Sequence, residues 1–458
     1  MARRAFFRFF HFSFIKFNPD PVVVRRCYLD EGTLWEGSGS FDFDTANYTG
    51  VSVLLEGGLS NGHVSILRTN DPAVTTGTIH LSVYSLNVDL STLSINQTSL
   101  SGVYHHTLVT PGKFYWGQCL VARWTIVLPY AWDNATKFVA SVGNSAIEVA
   151  QVVEDLEFDS AELQTTNSGV DIGGLSAGAI TIQSTNGAIR GRVSPGKNLV
   201  VSTSNAGIEL ESLRGGTEWI VVHTTNGHIV GTYVAVEGVA LATTNAPIEA
   251  RAEAGVLDLA ATNAHILGEY HADMVASLWT SNAPVEAEVE AGDITIKTSN
   301  ARIAGRFLAK RRIDISTSNA PIDITEGNGE EVLLRTSNAR IAGEFVVGKR
   351  FDAQTSNDPI DVRVGLKEEA QAPEVKATTS YGRTQVILSD TFSGRFDVST
   401  TYGRATVQNC ANSAEDCDQT DIVFEKNART SKSGTKGSEG QGLVFLRSRS
   451  GDARLFFD

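Results

Sequence analysis

Apolar and polar residues alternate in short runs along most of the chain. In "DITIKTSNARIAGRF" (residues 293–307), Ile294, Ile296 and Thr298 share one face of an extended strand, and Asp293, Thr295 and Lys297 take the other. Past a corner at Ser299–Ala301, Ile303, Gly305 and Phe307 face inward and Arg302, Ala304 and Arg306 outward. Strand formers dominate elsewhere too, as in "GTIHLSVYS", "RWTIVLP" and "RIDISTS". No helical periodicity extends beyond about two turns. The pattern predicts strands throughout.

The runs are copies of one phrase: Thr, Ser or Ala, then Thr or Ser, then Asn. Its asparagines are Asn167, Asn186, Asn205, Asn226, Asn245, Asn263, Asn282, Asn300, Asn319, Asn338 and Asn357, spaced 18 to 21 residues apart. Ile or Val stands three residues after each, from Val170 to Ile360. A unit of about 19 residues is too short for a helical hairpin or a propeller blade, and it fits one coil of a parallel β-solenoid. Such coils stack about 4.8 Å apart. A small residue follows nearly every Asn, and Asn and Gly tolerate the left-handed backbone of a tight corner, so these asparagines are expected to turn the chain. Equivalent residues of successive coils lie above one another. The eleven amides are therefore expected to form a buried structural ladder, hydrogen-bonded from coil to coil.

The copies alternate. Four residues after Asn, every other coil carries an acid: Asp171, Glu209, Glu249, Glu286, Asp323 and Asp361. The coils between carry Gly191, Gly231, Gly268, Gly305 and Gly343 five residues after Asn, and Val193, Tyr233, Tyr270, Phe307 and Phe345 two further on. The repeating unit is two coils, about 38 residues. Acids in every coil would repel at about 4.8 Å, whereas skipping a coil doubles the spacing to about 9.6 Å. The gap lets Arg302 lie diagonally between Glu286 and Asp323. Inside, small residues such as Ala252 leave space for Tyr233 and Tyr270. A 38-residue turn of four strands is the alternative, and it would stack acid on acid.

The repeat suggests four regions: a basic, aromatic tail over 1–40, a β-rich cap with its own packing over 41–145, the solenoid over 146–408, and capping strands over 409–458. Trp35, Trp116, Trp124 and Trp132 fall outside the clean repeat, although "LSNGHVSILR" and "SVGNSAIEV" read as degenerate coils. After Asn357, Tyr381-Gly382 and Tyr402-Gly403 replace Asn and its small neighbour, and "RSRSGDARLFF" follows in similar style. Between them the Gly/Ser/Lys-rich stretch near 425–442 reads as a mobile loop. The recurring Thr-Ser-Asn phrase with its Tyr-Gly variant resembles the bacterial "putative adhesin" family of the head-domain solenoid type and its uncharacterised fungal relatives. The resemblance covers residues 140–458. It implies a β-solenoid, a surface or envelope location in many members, and no established catalytic residues.

Composition narrows the function. The net charge of −14 argues against a nucleic-acid-binding body. The first 27 residues are basic and aromatic, but Arg8, His11 and Lys16 interrupt every apolar run, so no membrane span fits, and no small-residue cleavage site marks a secretory signal. A disordered tail, an imperfect gene start or a divergent targeting segment are the readings left open. None of the four cysteines forms a CxxC pair, and Cys410 and Cys417 bracket a short polar loop that a disulfide could close. Sequons at Asn47, Asn96 and Asn134 are candidate glycosylation sites. Together these favour an extracellular or surface setting.

Candidate chemistry is sparse. "GLSAG" around Ser176 matches a nucleophile elbow, but a strand follows it where the elbow needs a helix. Acids about 9.6 Å apart approach the carboxylate separation of inverting glycosidases, yet the uniform coils offer no long loops to wall a cleft. His228 and His265 share a position two coils apart and read as an outer column rather than metal ligands. No cofactor is expected. The sequence favours a non-enzymatic structural or adhesive protein whose partner is a polysaccharide or another surface protein. A β-helix carbohydrate-active enzyme and an intracellular scaffold are the alternatives.

Overall fold

The computed structural model describes residues 32–115, 117–212, 216–410, 421–437 and 440–458. The protein is an all-β parallel solenoid. Each repeat coil is built from strand that bends midway, and Ile303–Ser316 is typical. Its first half, Ile303–Leu308, pairs in register with Val285–Glu290 of the coil before, and its second half, Arg312–Ser316, with Asp293–Lys297. A register shift between the halves marks the bend. The inward column after the corner runs Val285, Ile303, Ile322, Ile341, Ile360 without a slip, and all five are fully buried. One turn is therefore one coil of two strand segments, and the four-strand turn is not adopted. β-Branched residues fill this column because their two branches pack well on a pleated surface.

The two-coil alternation reaches the core. Tyr233, Ala252, Tyr270, Val289, Phe307, Gly327, Phe345 and Val364 succeed one another in a second inward column, large against small at every step. Two residues before each large member of this column, and before Val193, stands a glycine. Gly191, Gly231, Gly268, Gly305 and Gly343 have φ between +126° and +148°. A Cβ on any of them would strike the carbonyl oxygen of Ile172, Leu210, Ala250, Ala287 or Ile324 in the coil before. These glycines are the left-handed positions of the repeat. The expectation for the asparagines is corrected: none of the eleven has a positive φ. Buried hydroxyls hold the corner instead. The Thr355 hydroxyl donates to the Ala339 carbonyl at 2.9 Å, and the Thr336 hydroxyl to that of Ala320 at 3.3 Å.

Both ends depart from simple stacking in the same way. The strands Gly442–Ser448 and Ala453–Phe457 insert between the coil of Glu374–Leu388 and the coil of Gly394–Gln408. The strands Gly50–Glu56 and Asn61–Arg68 insert between those of 103–128 and 137–149. Antiparallel strands cover the outer edges. At one end Ser94–Leu100 lies on Val103–Val109, and Thr76–Leu86 on Cys119–Leu128. At the other, the hairpin of Ile422–Ala428 and Ser431–Lys436 lies on Gly394–Thr400. Covering an edge removes the unpaired backbone groups that would otherwise template pairing with another chain.

Three expectations change here. Residues 41–145 do not pack separately: parallel coils of the same stack pass through them, and Trp124 is fully buried in the common core. The stretch near 425–442 is largely a hairpin rather than a mobile loop. Of 409–458, the last two strands lie inside the stack rather than capping it. Most of the proposed tail, residues 1–31, lies outside the described residues, and Thr33–Leu34 and Gly39–Asp44 are strands.

Candidate functional site

The asparagine column faces solvent along its whole length. Each Nδ2 donates to the Oδ1 of the Asn one coil earlier. The distances run from 2.5 Å between Asn186 and Asn167, through 2.9 Å between Asn300 and Asn282, to 2.5 Å between Asn357 and Asn338. The ladder is thus a surface feature, which corrects the expectation of burial. It also starts one coil earlier, because Asn167 donates to Asn144. Asn144 escaped the phrase because Gly143 precedes it, yet Ile147 stands three residues on, the spacing that marks every other member. All the amides point the same way, so each polarises the next.

Beside the ladder run two charged columns. Arg302 donates from Nε to Asp323 at 2.8 Å and approaches Glu286 at 3.9 Å, the diagonal placement that alternation predicted. Arg340 meets Asp323 at 2.9 Å and Arg383 meets Asp361 at 3.0 Å. His228 and His265 take the same role toward Glu209 at 3.0 Å and Glu249 at 3.2 Å. The His228 hydrogen bond holds the Glu209 carboxyl below its ordinary pKa. Of the six alternating acids, Asp171 alone has no such partner among these pairs. A shallow recess further out is lined by Arg251, Glu269, His271, Glu288, Glu290 and Arg306. Its basic side chains are also engaged: Arg306 with Glu326 at 2.7 Å, and the His271 imidazole near Glu290 at 3.7 Å. Exposed ion pairs of this kind contribute little stability each, but they set a regular pattern of charge.

The opposite sheet differs. From Asn198 to Trp279 it presents mostly small or uncharged side chains, including Val200, Val221, Ala240, Ala242 and Ala260. The ring of Trp219 lies against Gly238 of the next coil, and Trp279 is 53% exposed with Lys297 near its face.

The remaining candidates fall apart as chemistry. Ser176 sits fully buried within the strand Val170–Gln183, with no hydrogen-bond partner for its hydroxyl, so no elbow forms. No cluster of three metal-ligating side chains occurs among the described residues, and none of their helices is long and apolar enough to cross a membrane. His106 is fully buried against Phe41, with neither ring nitrogen hydrogen-bonded, and burial lowers its pKa to about 4. Cys119 and Cys410 are each disulfide-bonded, while Cys27 and Cys417 lie outside the described residues, as does Trp116. Asn47, Asn96 and Asn134 are exposed, all in the N-terminal third of the chain.

The family described as Toastrack DUF4097 matches residues 92–325. No curated protein matches the chain. Among solved structures, a "putative cell adhesion protein" from Clostridium sporogenes is 7% identical, with 92% of this chain and 100% of that one covered at a TM-score of 0.14. A "putative adhesin" from Bacteroides fragilis is 9% identical, with 78% and 97% covered at 0.16. At those scores neither superposition carries weight for this chain.

Proposed function

The chain belongs to the Toastrack DUF4097 family, and from that premise we propose that it is a non-enzymatic structural or adhesive rod of an extracellular surface, binding a polysaccharide or another surface protein through its outer columns. The observation that carries this reading is the regular pairing of exposed side chains coil after coil. Four of the six alternating acids are ion-paired with an arginine of a neighbouring coil, and a fifth, Glu249, meets the His265 imidazole. A hydrolase needs one acid set apart by its environment, whereas a rod of equivalent coils offers many weak, evenly spaced contacts that add by multivalency.

Disulfide-bonded Cys119 and Cys410 support an oxidising compartment, where such bonds persist. Exposed sequons at Asn47, Asn96 and Asn134 would then carry glycans, and Cys417 is the proposed partner of Cys410. Mass spectrometry of the protein from its native source tests this placement. Bare sequons together with reduced cysteines would favour an intracellular scaffold. A glycan array paired with a polysaccharide-degradation screen tests the rest. Binding without turnover is expected, and turnover abolished by Glu286→Gln or another single-acid substitution would overturn the reading.

A further inference from the structure

The amide ladder ends at Asn357, but its column continues. Thr384, Ala453 and Ala405 follow Ile360 in the inward column. The residues three before them, Tyr381, Ser450 and Tyr402, therefore take the next three ladder positions. The backbone agrees: Tyr381 N–H donates to the Ser356 carbonyl at 2.9 Å, Ser450 N–H to Ser380 at 2.9 Å and Tyr402 N–H to Arg449 at 3.0 Å. Two tyrosines thus stand two coils apart, about 9.6 Å, on either side of a serine. They are 60% and 72% exposed. The neighbouring position, Ala in most coils, is Gly382, Gly451 and Gly403 here, each too close to the backbone of the preceding coil in the stack for a side chain.

Charge changes at the same place. The acid column passes from Asp361 to Gln385, Arg454 and Thr406. Asp452 is occupied by the Arg454 guanidinium at 2.7 Å and the Arg404 backbone N–H at 2.9 Å. Arg404, Arg429 and Arg449 are exposed, and none has an acidic partner among the described residues. The Arg429 carbonyl accepts from the Ala405 N–H at 2.8 Å, which sets the hairpin turn beside Tyr402. Burial, and then the charge of Arg404, lower the pKa of Lys432 nearby. The arginines two residues past a ladder position elsewhere, Arg302, Arg340 and Arg383, each meet an acid. Here three guanidiniums are left over on a chain of net charge −14.

We propose that these last coils bind an acidic polysaccharide, with Tyr381 and Tyr402 stacking on its sugar rings and Arg404, Arg429 and Arg449 taking its carboxylates. The proposal rests on the reading of the protein as a polysaccharide-binding rod and names the site. Guanidinium groups hold carboxylates through two parallel N–H bonds, and aromatic faces give sequence-tolerant stacking. A nucleic acid would use similar groups. A flat base sandwiched between rings standing straight out from the stack, however, needs them about 7–8 Å apart at carbon contacts of about 3.5–4.0 Å. That is less than the about 9.6 Å between the two backbone positions, which leaves room for a puckered sugar.

Calorimetric titration of the full chain with polygalacturonate, a neutral β-glucan and an oligothymidylate tests it. Polygalacturonate is expected to bind, more weakly as salt rises. The pairs Tyr381→Ala with Tyr402→Ala, and Arg404→Gln with Arg449→Gln, should each weaken it roughly tenfold with the melting midpoint unchanged. Lys113→Gln, a remote exposed cation, should change nothing. Polygalacturonate binding indifferent to both pairs, or tighter binding of the glucan, overturns the site but leaves the polysaccharide-binding rod standing. Binding of no polysaccharide overturns both, and oligothymidylate preferred at the same tyrosines overturns the proposal in favour of a nucleic acid.

Discussion

Gly305 lies against the carbonyl of Ala287 with a φ of +138°, and no side chain fits between them. Gly305→Ala must therefore both strain the backbone and push the coils apart, at a cost of roughly 2–4 kcal/mol. Gly365 has no positive φ and only ordinary contacts around its missing Cβ, so Gly365→Ala should stay within about 0.5 kcal/mol. Denaturant midpoints of the two variants decide whether the contact matters as argued.

Asn300 gives one amide hydrogen bond to Asn282 and receives one from Asn319. Because the amides are exposed, water replaces what Asn300→Ala removes, and the loss should be about 0.5–1.5 kcal/mol rather than the larger cost of orphaning buried groups. Glu286→Ala, which removes a 3.9 Å contact with Arg302, should lower the melting midpoint less. Equal effects would mean that the ladder contributes no more than a surface ion pair.

Deleting residues 282–318 removes one two-coil unit and leaves large residues facing small ones. Deleting 282–299 instead brings Tyr270 into register with Phe307 and Gly268 against Gly305. The shorter deletion should melt at the lower temperature, since overpacking strains a close-packed core. The two melting curves, compared with the parent, check the order.

His106 supplies a pH dependence. Its pKa falls from the ordinary 6.5 to about 4 on burial, so between those values the unfolded chain binds a proton that the folded one does not. Stability is full above about pH 6.5 and is lost as pH falls toward 4, by up to about 3 kcal/mol. His106→Leu should flatten this slope in urea midpoints taken from pH 7 to 4.5. A slope unchanged by the substitution would assign it to other groups.

Much of the rod was legible because in a solenoid the next coil in sequence is the next coil in space. A one-dimensional pattern therefore states which residues stack. Ile303 over Val285, Ala252 between Tyr233 and Tyr270, and Arg302 between Glu286 and Asp323 follow from period and charge alone. The asparagines' shared column follows too. Their exposure does not, because period tells which residues align but not how far a corner side chain projects. The left-handed position likewise went to Gly305 rather than Asn300, since the close approach of Ala287's carbonyl is set by the neighbouring coil.

The ends needed the tertiary structure. Gly442–Phe457 lies between coils that precede it in the chain, and Gly50–Arg68 between coils that follow it. No local period records such pairings, because strands that meet across dozens of residues are chosen by edge closure and not by adjacency. Ser450 comes to stand between Tyr381 and Tyr402 only through that insertion. The coil and its columns are written in the local repeat; where the columns end, and which residues meet there, depends on long-range strand pairing, because only at the ends do distant parts of the chain compete for the same edge.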